Sequence, residues 1–315
     1  MCNGRKLTVV TPHGFCSGVA RAVATAEAVL AACPGERVYC LNEIVHNRQV
    51  VSRLTDAGMV FVSDPAEVPQ GARLLFSAHG VSPEVRRQAA ARGARVIDAT
   101  CPFVMKVHHE VVRFAAQGAC VVCIGHRHHE EVVGVAGEAP DQVRIVECEA
   151  EAESLDVPST QPVAVVTQTT LDAARVEGVM RVLRRRFAAR LIVRASTDVC
   201  YATRNRQRAV SLLAERCGLV LVLGSENSSN SQRLVETART AGARACLVST
   251  PSCLAEVAGL ADEPAVGLTS GASTPEAFLD EVIRLLCEGY GFPAPEILCA
   301  VEEESHVFRL PPLPE

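Results

Sequence analysis

Short apolar runs alternate with amphipathic stretches along almost the whole chain, and this alternation constrains the fold more than any other feature. The apolar runs predict buried strands at Leu7–Val10, Arg37–Leu41, Leu74–Ser77, Cys120–Ile124, Val163–Val166, Leu219–Leu223 and Ala265–Leu268. The amphipathic stretches predict helices at Val19–Leu30, Pro83–Arg92, Lys106–Gln117, Ala173–Phe187, Arg206–Arg216, Ser231–Ala241 and Pro275–Leu286. Strands that alternate with helices indicate an α/β protein with mostly parallel sheets covered on both faces. Ligands of such sheets bind beyond the carboxyl ends of the strands, which directs attention to the loops there.

Three cysteines stand where a predicted strand gives way to a predicted helix. They close the motifs Thr11-Pro-His-Gly-Phe-Cys16, Asp98-Ala-Thr-Cys101 and Asp198-Val-Cys200. The intervals between them each match one small α/β unit. We therefore expect three similar units and a tail, with the bounds 6–98, 99–197, 198–290 and 291–315.

The positions of these cysteines suit an iron–sulfur cluster. A thiolate at a helix N-terminus has a lowered pKa, because the unpaired N–H groups and the partial positive charge there stabilise it. The same N–H groups can donate hydrogen bonds to cluster sulfides. With three cysteine ligands, one iron would stay open to substrate. Spacing alone does not decide between this hypothesis and a chance placement of three among fourteen cysteines.

Composition excludes several classes of protein. A formal net charge of −5, an aromatic content of 4% and the lack of Trp argue against a nucleic-acid-binding surface. The longest apolar runs are far short of a membrane span, and the N-terminus does not resemble a signal peptide. We expect a cytoplasmic protein. In that compartment cysteines bind metals or take part in catalysis more often than they form disulfides. Cys120 and Cys123 form a C-x-x-C within a strand, where they point to opposite faces, so we interpret them as core residues.

Polar residues fill the loops that follow the predicted strands. These loops include His46, His79, the run His126–Glu131, Thr167–Thr170, Gly224–Ser231 and Thr269–Ser273. Hydroxyls, amides, imidazoles and backbone N–H groups at helix starts can hold a phosphate or a diphosphate. The chain has neither a Walker A motif nor a G-x-G-x-x-G motif, so nucleotide binding has no motif support.

Less specific interpretations stay open for the same residues. His46 or His79 could be a structural hydrogen-bonding residue, and the Asn/Ser run could only cap the helix that follows Asn230. The run His126–Glu131 could bind zinc in a hydrolase. That run lacks the i, i+4 histidine pair of an H-E-x-x-H helix, and a zinc hydrolase would leave the three helix-start cysteines without a role.

Many longer motifs, in order along the chain, resemble one known family. They are Gly14-Phe-Cys16-Ser-Gly18, Glu43-Ile-Val-His46-Asn-Arg48, Phe76-Ser-Ala-His79-Gly-Val-Ser82, Asp98-Ala-Thr-Cys101-Pro102, Lys106-Val-His108, Thr167-Gln-Thr-Thr170, Cys200-Tyr-Ala-Thr-Arg-Asn-Arg-Gln207, Asn227-Ser-Ser-Asn-Ser231 and Gly271-Ala-Ser273. The chain is similar, from about residue 7 to 290 and again near 302–311, to the 4-hydroxy-3-methylbut-2-enyl diphosphate reductases.

The resemblance implies three α/β units around one [4Fe–4S] cluster per chain, held by Cys16, Cys101 and Cys200 with one iron open. It implies the last step of the non-mevalonate isoprenoid pathway, in which two electrons and two protons remove the allylic hydroxyl. The products would be isopentenyl and dimethylallyl diphosphate. A separate ferredoxin or flavodoxin-type protein would donate the electrons, because the chain has no flavin or nicotinamide motif.

The resemblance also assigns roles to residues of the polar loops. Glu131 would head the proton relay, and Thr169 would orient the substrate hydroxyl. We expect the pKa of Glu131 to be raised by a closed, partly apolar site or by the diphosphate. The residues that would bind the diphosphate are His46, His79, His129, Ser228, Ser229, Asn230 and Ser273.

The chain departs from the family pattern at a few positions. Glu130 stands where the family has Pro before the catalytic acid, which raises the question of which carboxylate donates the proton; we favour Glu131. Thr11, His13 and Ser270 also differ from the usual residues of their motifs. These departures leave open a divergent paralogue acting on another allylic diphosphate, and a non-enzymatic iron–sulfur redox sensor is a further alternative.

Overall fold

The computed structural model describes residues 4–192, 198–303 and 306–313, in which strands and helices alternate as predicted. The strands are β1 (Lys6–Thr11), β2 (Val38–Leu41), β3 (Met59–Val62), β4 (Arg73–Phe76), β5 (Arg95–Asp98), β6 (Cys120–Ile124), β7 (Val143–Val146), β8 (Val163–Thr167), β9 (Leu191–Ile192), β10 (Leu219–Leu223), β11 (Arg244–Val248), β12 (Ala265–Ser270) and β13 (Glu296–Cys299). The helices are α1 (Ser17–Ala32), α2 (Arg48–Asp56), α3 (Pro83–Ala91), α4 (Pro102–Ala116), α5 (Glu130–Ala136), α6 (Glu149–Ser154), α7 (Ala173–Phe187), α8 (Tyr201–Ala214), α9 (Ser229–Thr240) and α10 (Glu276–Tyr290).

The strands form three sheets, and every pairing between described strands is parallel. One sheet has the order β11-β10-β12-β1-β13, the second β3-β2-β4-β5 and the third β7-β6-β8-β9. The predicted α/β class with parallel sheets is thereby confirmed. No α-helix in the described ranges has both the length and the apolarity that crossing a bilayer requires.

The central strands are buried on both faces, which explains why they are continuous apolar runs. Every residue of β10 is at most 1% exposed, as expected for a strand covered by helices on both sides. Cys120 and Cys123 on β6 are 4% and 1% exposed, so their interpretation as core residues is confirmed. Burial raises the pKa of the Cys123 thiol to about 12, which keeps this thiol protonated and inert.

The chain divides into two compact units by its internal contacts. Unit I comprises Met1–Val19, His46–Val50 and Tyr201–Val307 and carries the five-stranded sheet. Unit II comprises Ala20–Val45, Val51–Cys200 and Phe308–Glu315 and carries both four-stranded sheets. The expected boundaries of three units stay a prediction. The two four-stranded sheets fall within residues 38–98 and 120–192. In the five-stranded sheet, β1 from the start of the chain pairs with β12 and with β13. The boundary at residue 197 lies outside the described residues.

Helix α8 begins at Tyr201, five residues before the predicted start at Arg206. Its first turns hold Thr203, Arg204 and Asn205, and these polar residues hide the apolar spacing. Cys200 therefore directly precedes the helix, as Cys16 precedes α1 and Cys101 precedes α4.

Gly267 on β12 is required by close packing against α8, and this contact can be tested. A Cβ at this position would lie 2.6 Å from Cγ of Leu213, which is completely buried and cannot move aside. We expect Gly267→Ala to lower the free energy of unfolding by about 1–3 kcal/mol, measured by urea denaturation. Gly289→Ala is the control, because no atom lies within 4 Å of its added Cβ. Equal losses in both variants, or none in Gly267→Ala, would contradict this account of the packing.

Candidate active site

Cys16 lies in unit I, between the end of β1 and the first turn of α1. Its backbone N–H donates to the carbonyl of Ala272 at 3.1 Å. Its Sγ accepts the N–H of Val19 at 3.5 Å, within the range of a weak hydrogen bond to sulfur. The side chain is half-buried. The first turn of α1 thus directs an N–H group at this sulfur, as the sequence predicts for a cluster ligand.

Arg206 holds the loop that carries Cys16. Its Nη2 donates to the carbonyl of Gly14 at 2.9 Å, and its Nη1 donates to Oε1 of Glu303 at 3.1 Å. The arginine is only 1% exposed. A buried guanidinium is stable only when it is paired and hydrogen-bonded, so these contacts tie α8, the Cys16 loop and the chain near Glu303 together.

Arg206 stands within the motif Cys200–Gln207, but the sequence pattern alone gives it no role. A signal was present: Arg206 shares a helix face with Ala202, Ala209 and Leu213, all of which are buried. An arginine within an apolar helix face needs partners from elsewhere in the fold. Those partners come from sequence positions almost 200 and 100 residues away, so the local pattern could not identify them.

The predicted diphosphate-binding residues of unit I meet around Ala272. Ser273 Oγ donates to the carbonyl of His46 at 3.0 Å, and Oδ1 of Asn230 accepts the N–H of Ala272 at 2.8 Å. Because Cys16 donates to Ala272 as well, the structure brings Cys16, Asn230 and Ser273 to one loop.

Asn230 has hydrogen-bonding capacity to spare. It is 4% exposed, and its Nδ2 has no hydrogen-bond partner among the described residues. A buried amide N–H₂ without a partner is costly, and a bound anion would satisfy it. Asn230 thus has a spare N–H₂ donor at this loop.

Ser228 caps helix α9. Its Oγ accepts the N–H of Ser231 at 3.3 Å and the hydroxyl of Ser231 at 3.1 Å, and Ser229 is the first residue of the helix. The capping interpretation of this run is therefore confirmed for Ser228. A capping hydroxyl accepts through oxygen and keeps its own proton, so this role is compatible with donation to an anion.

Cys101 and Cys200 lie in unit II and are also half-buried. Cys101 is the N-cap residue of α4, and its N–H donates to the carbonyl of Ala78 at 3.0 Å. The N–H of Cys200 donates to the carbonyl of Thr169 at 3.0 Å. Each cysteine backbone is therefore fixed by a loop that also carries a predicted site residue, His79 in one case and Thr169 in the other.

Glu131 and Thr169 form a buried pair. The N–H of Thr169 donates to Oε1 of Glu131 at 2.7 Å, and its hydroxyl donates to Oε2 at 3.0 Å. The two residues are 2% and 5% exposed. Burial raises the pKa of the Glu131 carboxyl, and the hydrogen bonds from Thr169 oppose this shift only in part. The expected direction of the shift is confirmed, with desolvation as its first cause.

Glu130 lies beside Glu131 in the sequence but has different surroundings. It is half-buried, and its Oε2 is 2.9 Å from Nδ1 of His79. A carboxylate can only accept a hydrogen bond, so Nδ1 of His79 is the donor in this contact. The two neighbouring carboxylates therefore have separate partners, His79 for Glu130 and Thr169 for Glu131.

His129 is the N-cap residue of α5, and its Nδ1 accepts the N–H of Glu131 at 3.2 Å. Its proton must then be on Nε2, which makes that nitrogen a donor. The rings of His79 and His129 lie edge to face with centroids 5.8 Å apart, so two of the predicted anion-binding imidazoles are neighbours.

Gly80, which follows His79, is required by its backbone conformation. Its φ is +77°, and a Cβ there would lie 2.8 Å from Nε2 of His108. His108 is 2% exposed, and its Nδ1 lies 2.7 Å from Oε1 of Glu138. The His108–Glu138 pair therefore packs against the loop that carries His79, a contact between segments that no local pattern predicts.

The zinc hypothesis for the run His126–Glu131 is not supported by its geometry. Within the part of the chain that the structure describes, no three side chains of this run bring ligand atoms together. His128 is exposed, whereas His129 and Glu131 are engaged in capping and in the pair with Thr169.

The raised pKa of Glu131 predicts a pH dependence of stability. The folded protein keeps a proton that the unfolded chain, with an ordinary carboxyl value of 4.5, has released. Stability from this group is therefore present below that value and is lost as pH rises through the raised pKa. The quantity to measure is the difference in free energy of unfolding between the wild type and Glu131→Gln. We expect this difference to fall as the pH increases from 4.5. Urea titrations at several pH values measure it, and a flat difference would refute the assignment.

Comparisons with known proteins agree on one group of relatives. A model of the LytB protein family matches residues 7–287. The 4-hydroxy-3-methylbut-2-enyl diphosphate reductase of Cutibacterium acnes is 46% identical over 312 residues, which are 99% of this chain and 95% of that protein. The reductase of the same name from Rhodococcus jostii is 47% identical over 307 residues, which are 98% of this chain and 90% of that protein.

Solved structures lead to the same group. The E-1-hydroxy-2-methyl-but-2-enyl-4-diphosphate reductase of Plasmodium falciparum matches with a TM-score of 0.92 at 34% identity, covering 98% of this chain and 96% of that one. A second structure, of (E)-4-hydroxy-3-methyl-but-2-enyl diphosphate reductase, the terminal enzyme of the non-mevalonate pathway, has a TM-score of 0.63 at 31% identity. It covers 90% of this chain and 99% of that one.

Proposed function

This chain belongs to the LytB protein family, and we propose that it reduces 4-hydroxy-3-methylbut-2-enyl diphosphate to isopentenyl and dimethylallyl diphosphate. The observation that carries the proposal is an identity of about 46% over 99% of the chain with a reductase of that name. The buried pair of Glu131 and Thr169 adds the chemistry that such a reaction needs. The chain thus performs the last step of the non-mevalonate isoprenoid pathway.

An iron–sulfur group is the cofactor, and the finer assignment is one [4Fe–4S] cluster held by Cys16, Cys101 and Cys200. All three side chains are half-buried and stand at the first turn of a helix, in contrast to Cys123, which burial keeps protonated. The N–H of Val19 that reaches Cys16 Sγ is the kind of donor that stabilises a cluster-ligating thiolate. The residues therefore fit the cluster. When bound, it supplies electrons singly and an open iron that acts as a Lewis acid on the substrate hydroxyl.

Glu131 is the proton donor in this proposal. The reaction breaks the allylic C–O bond, and the hydroxyl must leave as water, which requires a proton at that oxygen. Because burial raises the pKa of Glu131, the carboxyl holds a proton closer to neutral pH than an exposed Glu does. The Thr169 hydroxyl, which lies 3.0 Å from the Glu131 carboxylate, orients the substrate hydroxyl and fixes the carboxylate beside it.

The diphosphate is held by donors that carry little formal charge. We assign this role to His46, His79, His129, Ser228, Ser229, Asn230 and Ser273. The spare N–H₂ of Asn230 and the Nε2 proton of His129 support it, since both are donors suited to an anion. The Ser273 hydroxyl donates to the carbonyl of His46 at 3.0 Å, so donation to a phosphate oxygen requires this hydroxyl to turn away from that carbonyl.

Glu130 has a separate part in the proposal. Its contact with His79 at 2.9 Å positions an imidazole for the diphosphate, and this contact leaves proton donation to Glu131.

An electron-donor protein of the ferredoxin or flavodoxin type supplies the two electrons, and we place the enzyme in the cytoplasm. The alternative of a redox sensor does not explain why a buried acid is paired with a threonine hydroxyl.

Anaerobic purification tests the cofactor and the reaction together. We expect iron and sulfide in nearly equal amounts and reduction of the diphosphate substrate with dithionite as the electron source. Serine in place of Cys16, Cys101 or Cys200 should abolish iron retention, whereas Cys120→Ser is the matched control outside the ligand set. Zinc without iron would contradict the cluster, and iron without turnover would favour the sensor or another allylic diphosphate.

Two neighbouring variants test the assignment of the acid. We expect Glu131→Gln to keep the iron content and to lower kcat by about 10²-fold or more, because it cannot donate a carboxyl proton. Glu130→Gln should keep kcat and raise the KM, because it weakens the contact that positions His79. Steady-state kinetics with dithionite separate the two parameters. If Glu130→Gln is the variant that loses kcat, the assignment of the acid is wrong.

A further inference from the structure

A basic groove beside the Cys101 loop is not used by the proposed reaction. It lies in unit II, has a volume of about 510 Å³, and is lined by Arg21, Lys106, His109 and Arg113 with one acidic residue, Glu110. The net charge of the lining is positive, whereas the whole chain has a formal net charge of −5. A concentrated basic surface on an acidic protein indicates an anionic partner.

The sequence places these side chains together on one face of helix α4. Lys106, His109 and Arg113 follow at helical spacing, and all three are exposed. Within residues 4–192, 198–303 and 306–313, neither Lys106 nor Arg113 forms an ion pair with an acidic side chain. Their charges are therefore available to a partner. Arg21 adds to the groove from α1, where its Nη1 donates to the carbonyl of Thr100 at 3.0 Å.

The position of the groove is as informative as its charge. Thr100 and Pro102 line it, and these residues flank Cys101 on either side. A protein that occupied the groove would therefore contact the loop of a proposed cluster ligand. The reaction needs two electrons from outside, since the chain has no flavin or nicotinamide motif.

We propose that this groove docks the electron donor, and that the donor is a small acidic iron–sulfur carrier protein. This inference rests on the proposed function. In each turnover two molecules of the reduced carrier are oxidised by one electron each, the allylic C–O bond breaks, one proton forms the new C–H bond, and the second leaves with the hydroxyl as water. Complementary charge of this kind steers encounter and is sensitive to salt.

The lysine content of the chain allows a direct test of docking. Lys6 and Lys106 are the only two lysines in the sequence. A carbodiimide, which joins carboxylates to amines as amides, should link the purified enzyme to an acidic bacterial [4Fe–4S] ferredoxin through Lys106. We expect Lys106→Arg to abolish this crosslink although it keeps the charge, and Lys6→Arg to leave it. Mass spectrometry of the crosslinked peptide identifies the residue. A crosslinked peptide that joins ferredoxin carboxylates to Lys6 or to the N-terminal amine, and not to Lys106, overturns the proposal.

Kinetics of the holoenzyme with the same ferredoxin, reduced by NADPH and a ferredoxin reductase, give a second measurement. We expect Lys106→Glu and Arg113→Glu each to raise the KM for ferredoxin about tenfold at low salt, with turnover driven by dithionite unchanged. Arg181→Glu is the matched control, because Arg181 is exposed on α7 outside the groove.

Helix α8 also exposes Arg208, and this residue offers a competing basic surface. If Arg208→Glu raises the KM for ferredoxin and Lys106→Glu does not, the groove is not the docking surface. Loss of turnover with dithionite in the wild type would refute the proposed function instead. The crosslink measures docking independently of turnover, so the two failures are distinguishable.

Discussion

Parallel strand pairing is the constraint on which the rest of this structure depends. A parallel strand needs a crossover connection, and the helices of these crossovers cover both faces of each sheet. The carboxyl ends of the strands in one sheet therefore share one edge, where the chain turns into the next helix. Cys16 and Cys101 lie at such turns, and Cys200 directly precedes helix α8. The polar loops that carry His79, Thr169 and Ser273 likewise follow the carboxyl ends of β4, β8 and β12.

Two buried ionisable groups show how the fold organises these loops. Arg206 is buried, and its guanidinium donates to three backbone carbonyls and to the carboxylate of Glu303, which holds the Cys16 loop in place. Glu131 is also buried, but its partners are the N–H and hydroxyl of Thr169 rather than a cation, so desolvation dominates and its pKa rises. One buried ionisable group thus holds a loop of unit I, and another holds a proton within unit II.

The departure at Glu130 illustrates what the sequence could and could not predict. Two adjacent carboxylates were visible, and the alignment of motifs favoured Glu131 as the acid. The contact of Glu130 with His79 was not visible, because the two residues are 51 positions apart and follow strands of different sheets. The role of Ser228 as a cap was open from the sequence, and the position of its Oγ decided it.

The sequence by itself determined the α/β class, most of the strands and helices, the three helix-start cysteines and the identity of the polar loop residues. These follow from local periodicity and from ordered motifs, which are properties of neighbouring residues. Only the tertiary structure decided that β1 lies between β12 and β13, that Arg206 supports Cys16 and that Asn230 has a spare N–H₂ group. Each of these depends on contacts between distant segments, and their partners are chosen by packing and desolvation rather than by any local pattern.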